Sequence, residues 1–168
     1  MENKIRVYGS VYKTKADSFE NLMKMKCFGK TLFIFNDNER EHNTNKKGAG
    51  NAVMRQYNIH SMSEALPNSH GIPTGLFRSG YTELNNSSRK AIDTSIREIK
   101  DLLESNCYDS IMYSLKTEGE LEIGTSIFNV AEEVIEYISM ELLKLGSEYC
   151  EVKDGGQFSE EDVFDINI

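Results

Sequence analysis

The chain has 168 residues, 39% hydrophobic and 27% charged, which is enough apolar material for one compact domain and too little length for two ordinary ones. Nineteen Lys and Arg against 27 Asp and Glu give a formal net charge of −8, which argues against broad adhesion to nucleic acid or an anionic membrane and leaves room for a local anion site. No apolar run approaches the ~20 residues of a spanning helix, and charged and apolar residues alternate through Ile5-Arg6-Val7-Tyr8 where a signal peptide would carry its apolar core.

In chain order, Lys4 to Tyr12 reads as a strand and Ala16 to Cys27 as a helix stopped by Gly29. Thr31-Leu32-Phe33-Ile34-Phe35 is a continuous apolar run of strand length, expected in the middle of a sheet covered on both faces. A polar stretch, Asn36 to Lys47, leads through Gly48-Ala49-Gly50 into a helix predicted at Asn51 to Tyr57. Gly71-Ile72-Pro73-Thr74-Gly75 is a short strand or turn. The spacing of Ala91, Ile92, Ser95, Ile96, Ile99, Leu102 and Leu103 predicts an amphipathic helix over Ser87 to Ser105, and Tyr108 to Leu115 reads as another buried strand. After Gly124-Thr125-Ser126, the stripe Ile127, Val130, Ala131, Val134, Ile135, Ile138, Leu142, Leu145 predicts a last helix ending at Gly146. Residues 147–168 hold seven carboxylates against Lys153, a net of −6, and read as an acidic extension in which Val163, Phe164, Ile166 and Ile168 add an edge strand or meet a partner. Strands alternating with helices imply an α/β domain over residues 1–146.

Two glycine-bearing bends carry the chemistry. Gly48-Ala49-Gly50 and Gly124-Thr125-Ser126 each precede a predicted helix, where small residues permit close backbone approach and helix-start amides face an anion. Neither completes a dinucleotide fingerprint, and no Gly-x-x-x-x-Gly-Lys-Ser/Thr loop occurs. His42, His60 and His70 show no metal-ligand spacing, so neither a metal nor a cofactor is expected. Cys27, Cys107 and Cys150 suggest neither a disulfide framework nor a thiolate metal site, which points to a reducing cytoplasm. Tyr57 and Tyr81 are aromatics able either to stack on a base or to close the core.

Taken together, Leu32-Phe33-Ile34-Phe35-Asn36-Asp37-Asn38, Gly48-Ala49-Gly50-Asn51-Ala52-Val53 and Gly124-Thr125-Ser126-Ile127-Phe128 resemble the macro-domain superfamily of ADP-ribose-binding modules, most of all the small macro-like proteins of phages and bacteria, with a T-even bacteriophage as the implied source. The resemblance implies a three-layer α/β/α domain with a mixed central sheet. It implies that Asn36 is a ligand-binding residue of the turn, that Asn38 bonds hydroxyls of the distal ribose, and that Gly48, Ala49 and Gly50 wrap that ribose and its phosphate. Gly124, Thr125, Ser126, Ile127 and Phe128 would hold the diphosphate, Phe128 covering the sugar. Asp37 is the nearest carboxylate and would orient or deprotonate water if an ADP-ribosyl linkage or phosphate is hydrolysed. Asp37 and Asn38 read equally well as an Asx turn ending the strand.

The sequence departs from the family at three places. After the first strand, Gly9-Ser10-Val11-Tyr12 lacks the Gly-Asp-Ile segment whose carboxylate reads adenine, Ser126 stands where glycine is usual, and Glu39 to Lys47 is a long insert that would serve as a lid. The functional expectation is therefore an ADP-ribose-like nucleotide as ligand, with or without hydrolysis. The alternatives are a non-catalytic signal-binding module and a phage interaction factor whose acidic tail contacts a protein.

Overall fold

Five strands, β1 (Arg6–Ser10), β2 (Thr31–Asp37), β3 (Ser69–Pro73), β4 (Ser110–Ser114) and β5 (Glu148–Val152), form one sheet in the order β3-β2-β4-β1-β5. This computed structural model describes residues 4–13, 15–46, 48, 50–59, 66–105, 107–117, 119–125 and 129–152. All four neighbouring strand pairs run parallel, which corrects the expected mixed sheet. The physical reason is that each of β1 to β4 is joined to the next strand by a connection long enough to carry the chain back over a sheet face, and such a connection returns it in the same direction. Among the described residues, antiparallel pairing is confined to two isolated bridges outside the strands, Gly75 with Gly80 and Leu115 with Ile123.

Among the described residues, three α-helices join these strands: α1 (Phe19–Leu22), α2 (Asn86–Leu103) and α3 (Glu132–Leu143), with 3-10 turns at Lys15–Asp17, Lys26–Phe28 and Gly50–Tyr57. The single helix expected over Ala16 to Cys27 is broken because Ser18 is extended and its hydroxyl accepts from Asn21 N–H at 3.3 Å, so a new helix starts there. The last helix begins at Glu132, well after the glycine loop, because Ala131 N–H donates to Tyr81 O at 2.8 Å. Glu132 and Glu133 then sit in its first turn, where negative charge suits the helix dipole.

Pleat alternation sorts the strand residues into two cores. Val7, Leu32, Ile34, Ile72, Ile111 and Tyr113 cluster with the apolar stripes of α2 and α3. Their neighbours Tyr8, Phe33, Phe35, Met112, Cys150 and Val152 cluster with Phe19, Leu22, Phe28 and Met54. The strand order explains the division: β1 to β2 to β3 steps across the sheet one way and β3 to β4 to β5 steps back, so right-handed crossovers in the two directions fall on opposite faces. β2 and β4 are interior and almost wholly buried, as the apolar run at Thr31–Phe35 predicts.

The sheet also takes in Glu148–Val152, which pairs with β1 from Arg6 opposite Glu148 to Ser10 opposite Val152. The folded unit therefore runs past residue 146, and the alternation of buried Cys150 and Val152 with half-buried Tyr149 and Glu151 marks a half-covered edge strand. Residues 153–168 lie outside the described ones. Among the described residues, no helix is long and apolar enough to cross a membrane.

Candidate functional site

Diverging crossovers leave a gap above the carboxyl ends of parallel strands, which is where open α/β sheets keep their ligands. A cavity of about 840 Å³ lies there, bounded by Ser114 and Leu115 at the end of β4 and by Tyr12 and Lys15 beyond β1. Phe19 of α1 and Met54 supply apolar wall, and Gly124 and Thr125 close the side toward α3. Among the described lining residues, two cations, Lys15 and Lys116, are balanced by two carboxylates, Glu20 and Glu132. Lys116 Nζ stands 3.9 Å from Glu132 Oε2, both side chains more than half exposed. Tyr12, 60% exposed, offers an aromatic face at the rim.

The structure divides the residues singled out in the sequence. Asn36 and Gly124 come together, Asn36 Nδ2 donating to Gly124 O at 2.5 Å, so the end of β2 is tied to the second glycine bend. Gly124 N–H donates to Ser114 O at 2.8 Å, extending the bridge of Leu115 to Ile123 rather than opening a helix. Ala49, Ser126, Ile127 and Phe128 lie outside the described residues. Neither Asp37 nor Asn38 lines the cavity. Asn38 completes a turn: its Oδ1 accepts from Glu41 N–H at 2.9 Å and its Nδ2 donates to Glu41 Oε1 at 3.2 Å, the Asx arrangement left open by the sequence.

Asp37 is buried and held by Arg55, whose Nε and Nη2 both donate to Oδ1, at 2.9 and 2.5 Å. Burial alone would raise the Asp37 carboxyl, but hydrogen bonds from His42 and Arg55 and the guanidinium charge hold it below the usual carboxylate range. The first glycine bend serves the same pair. A side chain at Gly48 would come within 2.8 Å of Arg55 Nη1 and 2.6 Å of Ala52 Cβ, so the glycine lets the backbone close around the guanidinium. Arg55 Nη1 also donates to Lys46 O at 3.3 Å. Gly50 opens the 3-10 turn that carries Arg55 inward.

On the far side of Asp37 a second polar cluster gathers. His42 Nε2 is 3.2 Å and His70 Nε2 3.3 Å from the same atom, Glu98 Oε1. His42 Nδ1 faces Asp37 Oδ2 at 3.5 Å, and Asn43 Nδ2 donates to Glu98 Oε2 at 2.7 Å. Asn43 reaches this position with φ of 62°, a left-handed conformation that Asn tolerates better than most residues. Burial opposes charge on His42, yet hydrogen bonds to Asp37 and Glu98 raise it to about 9. Burial would likewise raise Glu98, but His42, His70 and Asn43 hold it far below its ordinary value. His70 is 3% exposed and neither ring nitrogen has a hydrogen-bond partner, which costs about 1–3 kcal/mol per unsatisfied group.

Sequence spacing missed this cluster because its members come from the β2–β3 connection, from β3 and from α2. The available signal was the strand period: His70 lies two residues before Ile72 and so on the same core-facing side. Tyr57 and Tyr81 resolve as contacts within the fold, Tyr57 hydroxyl donating to Glu20 Oε2 at 3.0 Å and Tyr81 being buried. Cys107 is exposed ahead of β4. Comparison with known protein families, with curated proteins and with solved structures finds no match for the chain.

Proposed function

We propose that the chain is a binding module for a phosphate-bearing nucleotide of the ADP-ribose class, held in the cavity over β1 and β4 within a three-layer α/β/α macro-like domain. The observation that carries this reading is the cavity itself, about 840 Å³ at the carboxyl ends of a parallel sheet. Ligand sites of this class occupy about 300–1,000 Å³ and favour this end of the strands. In this reading Lys15 and Lys116 meet the phosphates, Tyr12 stacks on the base, and Gly124 and Thr125 line the wall beside the sugar. The apolar surface of Phe19 and Met54 covers the rest.

Binding without hydrolysis is the better supported form. Asp37, the carboxylate that the family resemblance would use to activate water, is engaged by Arg55 and is absent from the cavity wall. A general base has to reach the water it deprotonates.

Thermal unfolding in the presence of ADP-ribose, AMP and NAD tests the proposal. A ligand at 100 times its dissociation constant adds about 2.7 kcal/mol of stability, a readily measured shift. The shift is expected to shrink in Lys15→Ala, Lys116→Ala and Tyr12→Ala, all exposed positions whose replacement leaves the fold intact. Stabilisation by none of the three nucleotides, or stabilisation indifferent to all three substitutions, rules the site out.

A further inference from the structure

We propose that His42, His70 and Glu98 bind one divalent transition-metal ion, of the kind that takes imidazole nitrogen together with carboxylate oxygen, at the outer edge of the sheet between β3 and α2. The donors of these three residues all lie within 4.8 Å of one another. Two of the three separations, 3.2 and 3.3 Å to Glu98 Oε1, match the spacing around a tetrahedral ion. Bonds of about 2.0–2.1 Å at tetrahedral angles put neighbouring ligand atoms about 3.3 Å apart. The remaining imidazole pair closes to that distance by at most about 1.5 Å of ring movement.

The ion pair with Glu98 leaves His70 short of hydrogen bonds. Its ring is 97% buried, being 3% exposed, and both nitrogens lack hydrogen-bond partners although Nε2 points to within 3.3 Å of Glu98 Oε1. Coordination through Nε2 removes one of those two deficits. The surrounding groups are arranged as second partners of metal ligands are. Asp37 Oδ2 lies 3.5 Å from His42 Nδ1, the carboxylate–imidazole relation that fixes a ligating ring with Nε2 outward. Asn43 donates to Glu98 Oε2 at 2.7 Å, which leaves Oε1 as the oxygen turned toward both rings.

Donor chemistry sets the class of ion. Two nitrogens and one oxygen suit zinc, cobalt, nickel or ferrous iron, whereas calcium and magnesium ask for all-oxygen shells. Three protein donors leave a tetrahedral ion one open position, and the Glu98 side chain, 35% exposed, lets water reach it. The inference is independent of the nucleotide reading, since none of the three residues lines the cavity.

Zinc and cobalt ions are the probes, added to the untagged full chain. Equilibrium dialysis is expected to give one zinc per chain, and cobalt a visible d–d spectrum without a thiolate charge-transfer band. Glu98→Gln, which keeps the shape of a partly exposed helix residue, is expected to weaken zinc binding by on the order of tenfold or more, and His70→Ala to abolish it. Asn43→Gly keeps the left-handed backbone while removing the amide that orients Glu98, so it should weaken binding by about 10–100-fold. Absence of stoichiometric zinc in the parent chain overturns the proposal, as does uptake unchanged in Glu98→Gln or uptake lost only on replacing Cys107. Should His70→Ala fail to fold, Glu98→Gln and Asn43→Gly decide the matter alone.

Discussion

At residue scale the Asp37–Arg55 pair has the most to lose. Both side chains are at most 2% exposed, so removing one strips the other of its nearest opposite charge in a dry setting. Arg55→Met is expected to cost about 3–5 kcal/mol, read from urea unfolding, even though it keeps most of the side chain's length. Combining it with Asp37→Asn should cost clearly less than the sum of the two single changes, because the second removes the charge the first orphaned. Strict additivity would show that the pair is not coupled as its 2.5 and 2.9 Å bonds imply. The sequence pointed to Asp37 and Asn38 as a polar end to a buried strand, and both turned out to be engaged there. Their partners were not legible. An arginine in a short helical segment usually snorkels to solvent, and nothing local to Arg55 shows that Gly48 closes around it. His42 and His70 were set aside on spacing, which detects ligands on one helix or hairpin and is blind to donors brought together by a crossover.

Elements whose burial is one-sided were the legible ones. The stripe of α2 appears as expected, with Ile92, Ser95, Ile96, Ile99 and Leu103 buried, because a helix lying on a sheet must hide one face. Its start was misplaced by a residue, since Asn85 caps it: the side chain accepts from Ser88 N–H at 3.0 Å while Ser88 Oγ accepts from Asn85 N–H at 2.9 Å. Asn85→Ala should therefore lose about 1 kcal/mol. In a chain of this size that lowers the melting temperature by roughly 2–4 °C. Asn86→Ala, at the exposed first helical residue, serves as the comparison and should change little. Equal effects at the two positions would mean that the reciprocal cap contributes nothing. The helix predicted from Ala16 failed for the complementary reason. Its apolar residues recur at helical spacing, but a serine side chain can satisfy helix-start amides wherever the backbone turns extended, and Ser18 does so.

For the whole molecule, strand existence was readable while strand order and direction were not. Pleat alternation and apolar runs are local, whereas parallel pairing depends on which face each crossover covers. The same limit hid the edge. Glu148 and Glu151 made residues 147–168 look like a solvated tail, yet Cys150 and Val152 between and beyond them face the core beside Tyr8, and Gly9 of β1 has no side chain where Tyr149 and Leu115 pack. A chain ending at residue 146 and one ending at residue 152 should therefore differ sharply. The shorter loses every β1–β5 ladder bond and leaves the apolar edge of β1 uncovered, and the burial of Val152 alone is worth about 1.5–3 kcal/mol. Urea midpoints for the two truncations make the comparison, with the longer expected to unfold at clearly higher denaturant. If both unfold together, β5 adds no stability to the sheet and the folded unit ends at the glycine stop, Gly146.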